Sequence, residues 1–240
     1  MTTRHTLLVA RSVAHTGGHD AVHRLADEVA RALGEPVRAC FLDGAAPSLH
    51  DALDAARSAG ALDVVLVPTH LPPDRYLDVW LRRAYADWVT SRPADPPPPR
   101  VSVGAPLATQ PALVTAVLDA LRQPTAPLSG NPGPFRSPAW SAITRHRRHV
   151  LVCRGPRCTA YGAGATADTL AESLRARGLT DDDILLTQTG CLFPCNLGPL
   201  VVVHPDDVWY TQVDPQLATR IVDQHLVHGQ PVDDQPVRRR

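Results

Sequence analysis

The chain has 240 residues, 24 basic and 24 acidic side chains, and a hydrophobic content of 44%. This length suits one large or two small domains, and the zero net charge argues against a nucleic-acid partner, which normally requires a basic excess. The first apolar run, TLLVA, is too short for a signal-peptide core or a membrane span, so we expect a cytoplasmic protein.

Strand and helix patterns alternate along the N-terminal half. Apolar runs predict four strands, at 5–10, 36–42, 62–68 and 100–106. Amphipathic segments predict four helices, at 20–34, 48–60, 74–89 and 111–122. This order is typical of a parallel sheet with helices on both faces. Ser48 is expected to cap the second helix, and the apolar run around Cys40 predicts a buried cysteine.

A proline-rich segment then interrupts the periodicity. Residues 123–140 contain five prolines and no helix or strand pattern, which indicates a linker. The predicted organisation has two α/β domains, a linker and a tail, with the bounds 1–123, 124–147 (linker), 148–230 and 231–240 (tail).

The second domain is predicted to contain four strands and two helices. One helix follows the first strand, and the other closes the domain. Its predicted strands are 148–153, 183–190, 199–205 and 208–213, with a hairpin turn at Asp206-Asp207. Its predicted helices are 166–178, capped by Thr166, and 214–227, capped by Asp214. His225 and His228 are expected to be exposed on the last helix.

Four of the five cysteines form two close pairs in this second domain. Cys153 and Cys158 follow one predicted strand, and Cys191 and Cys195 follow the next. Ligands of open α/β sheets bind at these strand ends, so both loops are expected to present thiolates to one point. Spacings wider than the two-residue zinc knuckle favour a [2Fe-2S] cluster, while a structural zinc ion and redox-active thiols stay open.

The cysteine loops also contain small, rigid and cationic residues. Gly155-Pro156 lies in the first loop, and Pro194, Gly198 and Pro199 lie in or after the second. Such loops expose backbone N–H groups that can donate to sulfur. Arg154 and Arg157 are expected to add positive charge beside an anionic cluster.

The segments VLVCRGPRC and TGCLFPCNLGPLVVVHPDDVWYTQVDP resemble the thioredoxin-like [2Fe-2S] ferredoxin family, over residues 148–228. The resemblance implies that Cys153, Cys158, Cys191 and Cys195 are the cluster ligands. It also implies one-electron transfer to or from a redox partner protein, without chemistry on an organic substrate.

The segments LDVVLVPTHLPPDRYLDVW and RVSVGAPL are similar to the sirohydrochlorin cobaltochelatase family, over residues 5–122. That family inserts a divalent metal into a tetrapyrrole for cobalamin or sirohaem synthesis. The similarity places Arg11 and Tyr76 where the family has metal-binding histidines, and Asp74 where it has a glycine. Arginine offers no lone pair, so the family's metal site is lost on this alignment.

Other residues offer a replacement site at the same end of the sheet. His15, His19 and His23 have four-residue spacing, and His70 follows the third strand. Imidazole suits divalent cobalt, nickel or zinc, although most histidines are simply packed or solvated. Alternatively, Arg11 binds a carboxylate of a tetrapyrrole that is not metalated.

The sequence therefore predicts an α/β protein with a chelatase-like parallel-sheet domain followed by a smaller thioredoxin-like [2Fe-2S] ferredoxin domain. We expect an electron-transfer protein whose chelatase-like domain is degenerate and linked to cobalamin or sirohaem metabolism. The alternatives are an active sirohydrochlorin chelatase with a regulatory cluster and a zinc-stabilised interaction protein. Arg11, His15 and His70 are the candidates for a second metal or ligand site.

Overall fold

The computed structural model describes residues 4–12, 19–71, 74–93, 96–124, 142–232 and 236–238. These residues form two sheets, one in each half of the chain, which confirms the predicted α/β class. Of the helices in this part of the chain, none is both long and apolar enough to cross a bilayer.

The N-terminal sheet has four parallel strands in the order β2-β1-β3-β4. The strands are β1 (Arg4–Ala10), β2 (Val37–Phe41), β3 (Asp63–Pro68) and β4 (Arg100–Val103). The helices are α1 (His19–Leu33), α2 (Leu49–Ser58), α3 (Arg75–Ser91) and α4 (Ala112–Arg122). Strands and helices alternate as the periodicity predicts, and the carboxyl ends of all four strands meet at one edge.

Apolar side chains cover both faces of this sheet. On one face, α2 and α3 pack Leu53, Leu77 and Trp88 into a cluster that includes the fully buried Cys40. On the other face, α1 contributes Ala26 to a smaller cluster. The predicted burial of Cys40 is confirmed, and burial raises the pKa of its thiol to about 12.

The C-terminal sheet has five strands in the order β6-β5-β7-β8-β9. They are β5 (Arg148–Cys153), β6 (Ile184–Thr189), β7 (Val201–His204), β8 (Val208–Tyr210) and β9 (Pro236–Arg238). Only β5 and β6 are parallel, and the other neighbours are antiparallel. The helices are α5 (Pro156–Ala160), α6 (Ala163–Ala176) and α7 (Pro215–Arg220), which continues as a π-helical stretch over Ile221–Val227.

Helix α6 begins earlier than predicted, and a short helix precedes it. Gly162 has a φ of +87° and is the N-cap of α6, so Thr166 lies inside the helix and is not its cap. The Thr166 hydroxyl is fully buried and donates to the carbonyl of Val213 at 2.5 Å. The prediction was wrong because this tertiary contact gives a typical capping residue another partner.

Two predictions near the C-terminus were also wrong. His225 is fully buried, between the Tyr210 hydroxyl at 2.9 Å and the Asp206 carboxylate at 3.1 Å, whereas His228 is exposed as expected. Residues 231–240 are not all a tail, because Pro236–Arg238 pairs with the open edge of β8. Most of the predicted linker, residues 125–141, lies outside the described residues.

The two sheets are joined by direct contacts around α5. The Gly44 amide, after β2, donates to the Arg154 carbonyl at 3.1 Å and to the Thr159 hydroxyl at 3.0 Å. The Arg154 guanidinium donates back to the Gly44 carbonyl at 2.8 Å. On the other side of α5, the Tyr161 hydroxyl donates to the Asp87 carboxylate at 2.8 Å. We call the three Gly44 hydrogen bonds the Gly44 clamp.

The Gly44 clamp yields a stability prediction with a matched control. Gly44 has a φ of +68°, and a Cβ there would lie 2.7 Å from the Ser12 Cβ. Gly60 has a φ of +74°, and a Cβ added there would meet no other atom within 4 Å. Gly60→Ala therefore carries only the left-handed backbone cost of roughly 1–2 kcal/mol. Gly44→Ala adds the steric clash, about 1–3 kcal/mol more. Urea unfolding of both variants measures the difference in the free energy of unfolding. Equal losses would show that the close approach of Gly44 to Ser12 does not require a glycine.

Candidate functional site

The four paired cysteines converge at one edge of the C-terminal sheet. Cys153 ends β5 and is in register with Thr189, the last residue of the parallel strand β6. Cys191 therefore leaves the sheet beside Cys153. Cys158 lies on α5, and Cys195 begins a 3-10 turn over Cys195–Leu197. The topology brings together all four thiols that the spacing singled out.

The sulfur atoms are in contact but not bonded. The Sγ atoms of Cys191 and Cys195 lie 3.2 Å apart, well beyond the roughly 2.05 Å of a disulfide, and all four cysteines are free. Cys153 is hydrogen-bonded to both Cys158 and Cys191, so the two pairs form one group. Cys153 and Cys158 are each only 1% exposed, whereas Cys191 is exposed. The group has an inner and an outer pair.

Backbone N–H groups point at the inner sulfur atoms. The Leu192 amide donates to Cys153 Sγ at 3.4 Å, and the Gly155 amide donates to the same atom. The Leu200 amide donates to Cys158. Donors aimed at sulfur stabilise thiolates, and in a metal centre they also tune the reduction potential.

The thiol pKa values in this group shift in both directions. A hydrogen bond from Cys158 lowers the pKa of Cys153, and the same bond raises that of Cys158, so the inner pair shares one proton in the absence of a metal. Burial raises the pKa of Cys195 to about 11, against the opposing positive charge of Arg157. Binding a metal would displace these protons, because thiolates are the ligating form.

Two glycines let the backbone come this close to the cysteines. A Cβ at Gly198 would lie 2.6 Å from Cys158 Sγ, and a Cβ at Gly155 would lie 3.0 Å from both Cα and Cβ of Cys191. The sequence pointed to small residues in these loops. The structure gives the reason, which is close packing on the cysteines rather than unusual φ angles.

The two arginines beside the cysteines have different surroundings. The Arg154 guanidinium donates to Gly44 and to the Gln188 side chain, so it serves the contact between the sheets. Arg157 donates to the Asn196 side chain, next to Cys195, and its guanidinium lies 5.7 Å from the centre of the Trp80 ring. Only Arg157 places its charge beside the outer cysteines.

At the carboxyl edge of the N-terminal sheet, Arg11 is paired with carboxylates of the protein itself. It contacts Asp43 at 2.8 Å and Asp74 at 3.1 Å, and it stacks over Tyr76 at 5.3 Å. The hydrogen bond to Asp43 contributes most to raising the pKa of Arg11. Arg11 and Tyr76, which we expect at the family's histidine positions, therefore lie together, and the charge of Arg11 is paired.

The candidate histidines do not form a common ligand set. His70 Nε2 accepts from the Asp74 amide at 3.0 Å, which places it near Arg11. His19 bonds the Ser12 hydroxyl at 2.8 Å, and the rings of His19 and His23 pack on Phe41. His15 lies outside the described residues. Within the described ranges, no three or more His, Cys, Asp or Glu side chains surround the position of a single metal ion; this includes the cysteines, of which a [2Fe-2S] cluster takes two on each iron.

A cleft of about 670 Å³ separates the carboxyl edges of the two sheets. Arg11, Ser12, His19 and Asp43 line one wall, and Arg154 and the segment 187–190 line the other. This juxtaposition was not anticipated from the sequence. The available signal was that both sets of candidate residues follow the carboxyl ends of strands, but nothing local fixes how two sheets face each other.

Comparisons with known proteins match each half of the chain separately. A family model described as CbiX matches residues 5–124, and one described as thioredoxin-like [2Fe-2S] ferredoxin matches residues 140–226. Both resemblances inferred from the sequence are thereby confirmed.

Relatives of the C-terminal part are named ferredoxins. A "Ferredoxin, 2Fe-2S" of Aquifex aeolicus is 36% identical over 94 residues, which cover 85% of that protein and 36% of this chain. A crystal structure of a thioredoxin-like [2Fe-2S] ferredoxin from the same organism has 33% identity and a TM-score of 0.36, covering 97% of that chain and 38% of this one.

A solved structure is also similar to part of the chain under the name of the first family. A crystal structure of a CbiX protein from Marinobacter aquaeolei has 17% identity and a TM-score of 0.43, covering 94% of that chain and 50% of this one.

The contact between Gly198 and Cys158 can be tested with a neighbouring glycine as control. We expect Gly198→Ala to displace the Cys158 sulfur and to remove most of the iron and acid-labile sulfide from anaerobically purified protein. Gly190→Ala changes the residue before Cys191, where a Cβ meets nothing within 4 Å, so its iron content should equal that of wild type. Full iron content in Gly198→Ala would show that the close approach is not required.

Proposed function

The chain belongs to the CbiX family through residues 5–124 and to the thioredoxin-like [2Fe-2S] ferredoxins through residues 140–226, and we propose that it is an electron-transfer protein with a degenerate chelatase-like unit. The observation that carries this proposal is the group of four contacting, unbonded cysteines with backbone N–H donors aimed at sulfur.

The donor set fits a [2Fe-2S] cluster. Such a cluster takes four thiolates, two on each iron, and Cys153, Cys158, Cys191 and Cys195 would hold it. Their spacing is wider than that of zinc knuckles, and the relatives of this region are named 2Fe-2S ferredoxins. When bound, the cluster supplies one-electron redox chemistry at a site that holds no other reactive group.

The residues around this site bury the inner cysteines and leave the outer edge accessible to solvent. The inner cysteines are buried beside Leu200, which excludes water from their sulfur atoms. The outer edge is open at Cys191, and Phe193, between the outer cysteines, is 77% exposed. A redox partner protein would approach this edge, because electron transfer requires the donor and acceptor to come close.

The surroundings of Arg11 support the loss of metal insertion in the chelatase-like unit. Arg11 offers no lone pair to a metal ion, and Asp43 and Asp74 hold its guanidinium at the edge of the cleft. Membership in the CbiX family supports a link to cobalamin or sirohaem metabolism. The cleft between the sheets has the size of a ligand pocket, and a tetrapyrrole is the ligand we propose for it.

One observation favours the alternative of an active sirohydrochlorin chelatase with a regulatory cluster. His70 lies at the carboxyl edge of the N-terminal sheet, and its Nδ1 atom is buried without a hydrogen-bond partner among the described residues. This nitrogen is free to bind a divalent metal after a small rearrangement, since imidazole suits cobalt, nickel and zinc.

A metal-insertion assay separates the two functions. We expect wild type and His70→Ala to show equal, background rates of cobalt insertion into sirohydrochlorin, measured from the change in the tetrapyrrole absorption spectrum. Insertion by wild type that His70→Ala abolishes would establish the alternative. Binding of sirohydrochlorin without insertion, detected by a spectral shift, is the result that the proposal predicts.

The ligand assignment is tested by replacing each cysteine in turn. Alanine at position 153, 158, 191 or 195 should remove most of the iron and sulfide, because alanine offers no ligand atom in place of the thiolate. Cys40→Ala is the control, since Cys40 is buried in the core of the other sheet and should leave the iron content unchanged. Full iron retention in any one of the four site variants would remove that residue from the ligand set.

A further inference from the structure

Arg157 is held at two points between the cysteine loops. It precedes Cys158 on α5, and its guanidinium donates to the side chain of Asn196, the residue after Cys195. The cation therefore lies within electrostatic reach of the outer cysteines.

The second point of attachment comes from the N-terminal half of the chain. Trp80, on α3, presents its ring 5.7 Å from the guanidinium of Arg157, a distance typical of a cation–π contact. The two side chains meet beside Pro156, where α5 packs against α3. Trp80 is partly buried and packs against the core cluster of the N-terminal sheet, so part of its ring stays available to Arg157.

A second arginine uses the same ring without reaching the cysteines. The guanidinium of Arg83 lies 5.2 Å from the centre of the Trp80 ring, but Arg83 belongs to α3 and is exposed. Arg83 and Arg157 thus share one aromatic partner, and only Arg157 is attached to a cysteine loop. This difference provides a matched control.

We propose that Trp80, a residue of the CbiX-like half, is a positioning residue that holds the Arg157 cation against the Cys195 loop and thereby raises the reduction potential of the cluster. The inference rests on the proposed function, since it presupposes a cluster held by the four cysteines.

The physical reason is the charge change on reduction. A one-electron reduction adds one negative charge, so a fixed nearby cation favours the reduced form. An arginine without its aromatic partner spends more time in solvent, where water and salt screen its charge. Packing on Trp80 restricts the side chain and excludes water from one face of the guanidinium. The chelatase-like half would then set a property of the electron carrier.

The test is the midpoint potential of the full-length protein, measured by a redox titration followed by visible absorption and electron paramagnetic resonance. Arg157→Gln should lower the midpoint potential by ~59 mV. At a given solution potential, this corresponds to a roughly tenfold higher ratio of oxidised to reduced cluster. Trp80→Leu should lower it in the same direction by a smaller amount, and Trp80→Phe by less than Trp80→Leu. Arg83→Gln should leave it unchanged.

The double variant distinguishes positioning from a general disturbance. If Trp80 acts through Arg157, Trp80→Leu adds no further shift in the Arg157→Gln background. Additive shifts, or an unchanged potential in Trp80→Leu with a full cluster, would overturn the inference.

Iron and sulfide contents measured on the same samples distinguish this inference from the function on which it rests. A wild-type protein without a cluster would instead refute the proposed function. A shift in Trp80→Leu accompanied by a loss of iron would also count against the inference, because it would show damage to the site. Urea unfolding of wild type, Trp80→Leu, Arg157→Gln and the double variant supplies a second readout. If Trp80 positions Arg157, the losses in the free energy of unfolding of the two single variants should not add up in the double variant.

Discussion

Helix α5 packs against the N-terminal half of the chain and connects the two sheets. Arg154 and Thr159 directly follow two of the cysteines, and both hydrogen-bond to Gly44. The segment that shapes the cysteine loop is therefore also the segment that joins the sheets. Asp43 directly precedes Gly44 and binds Arg11, which follows β1. The carboxyl edge of the N-terminal sheet therefore lies next to this joint.

The two sides of the joint carry different charged groups. On one side of the cleft, Asp43 and Asp74 pair with Arg11. On the other side, backbone amides are aimed at the inner sulfur atoms, and Arg157 stands beside the outer pair. The N–H donors and the cation that can stabilise charge on sulfur thus lie at the cysteines.

Much of this could be predicted because the governing interactions are local. The alternation of strands and helices, the Ser48 and Asp214 caps and the convergence of the cysteine loops follow from periodicity, capping chemistry and the direction of parallel strands. Helix α5 was missed because its five residues are too few for a helical period, and His225 was misplaced because its partners are distant in sequence. The relative orientation of the two sheets likewise depends on contacts between residues that are far apart in the sequence.

The central claim is that the four cysteines hold a [2Fe-2S] cluster, and its most direct test is the composition of protein purified without oxygen. Iron, acid-labile sulfide and zinc should be measured together with the visible spectrum before and after dithionite. Protein that holds the cluster will contain about two irons and two sulfides per chain, and its colour will bleach on reduction. A colourless protein with about one zinc per chain would contradict the central claim and would remove electron transfer from the function.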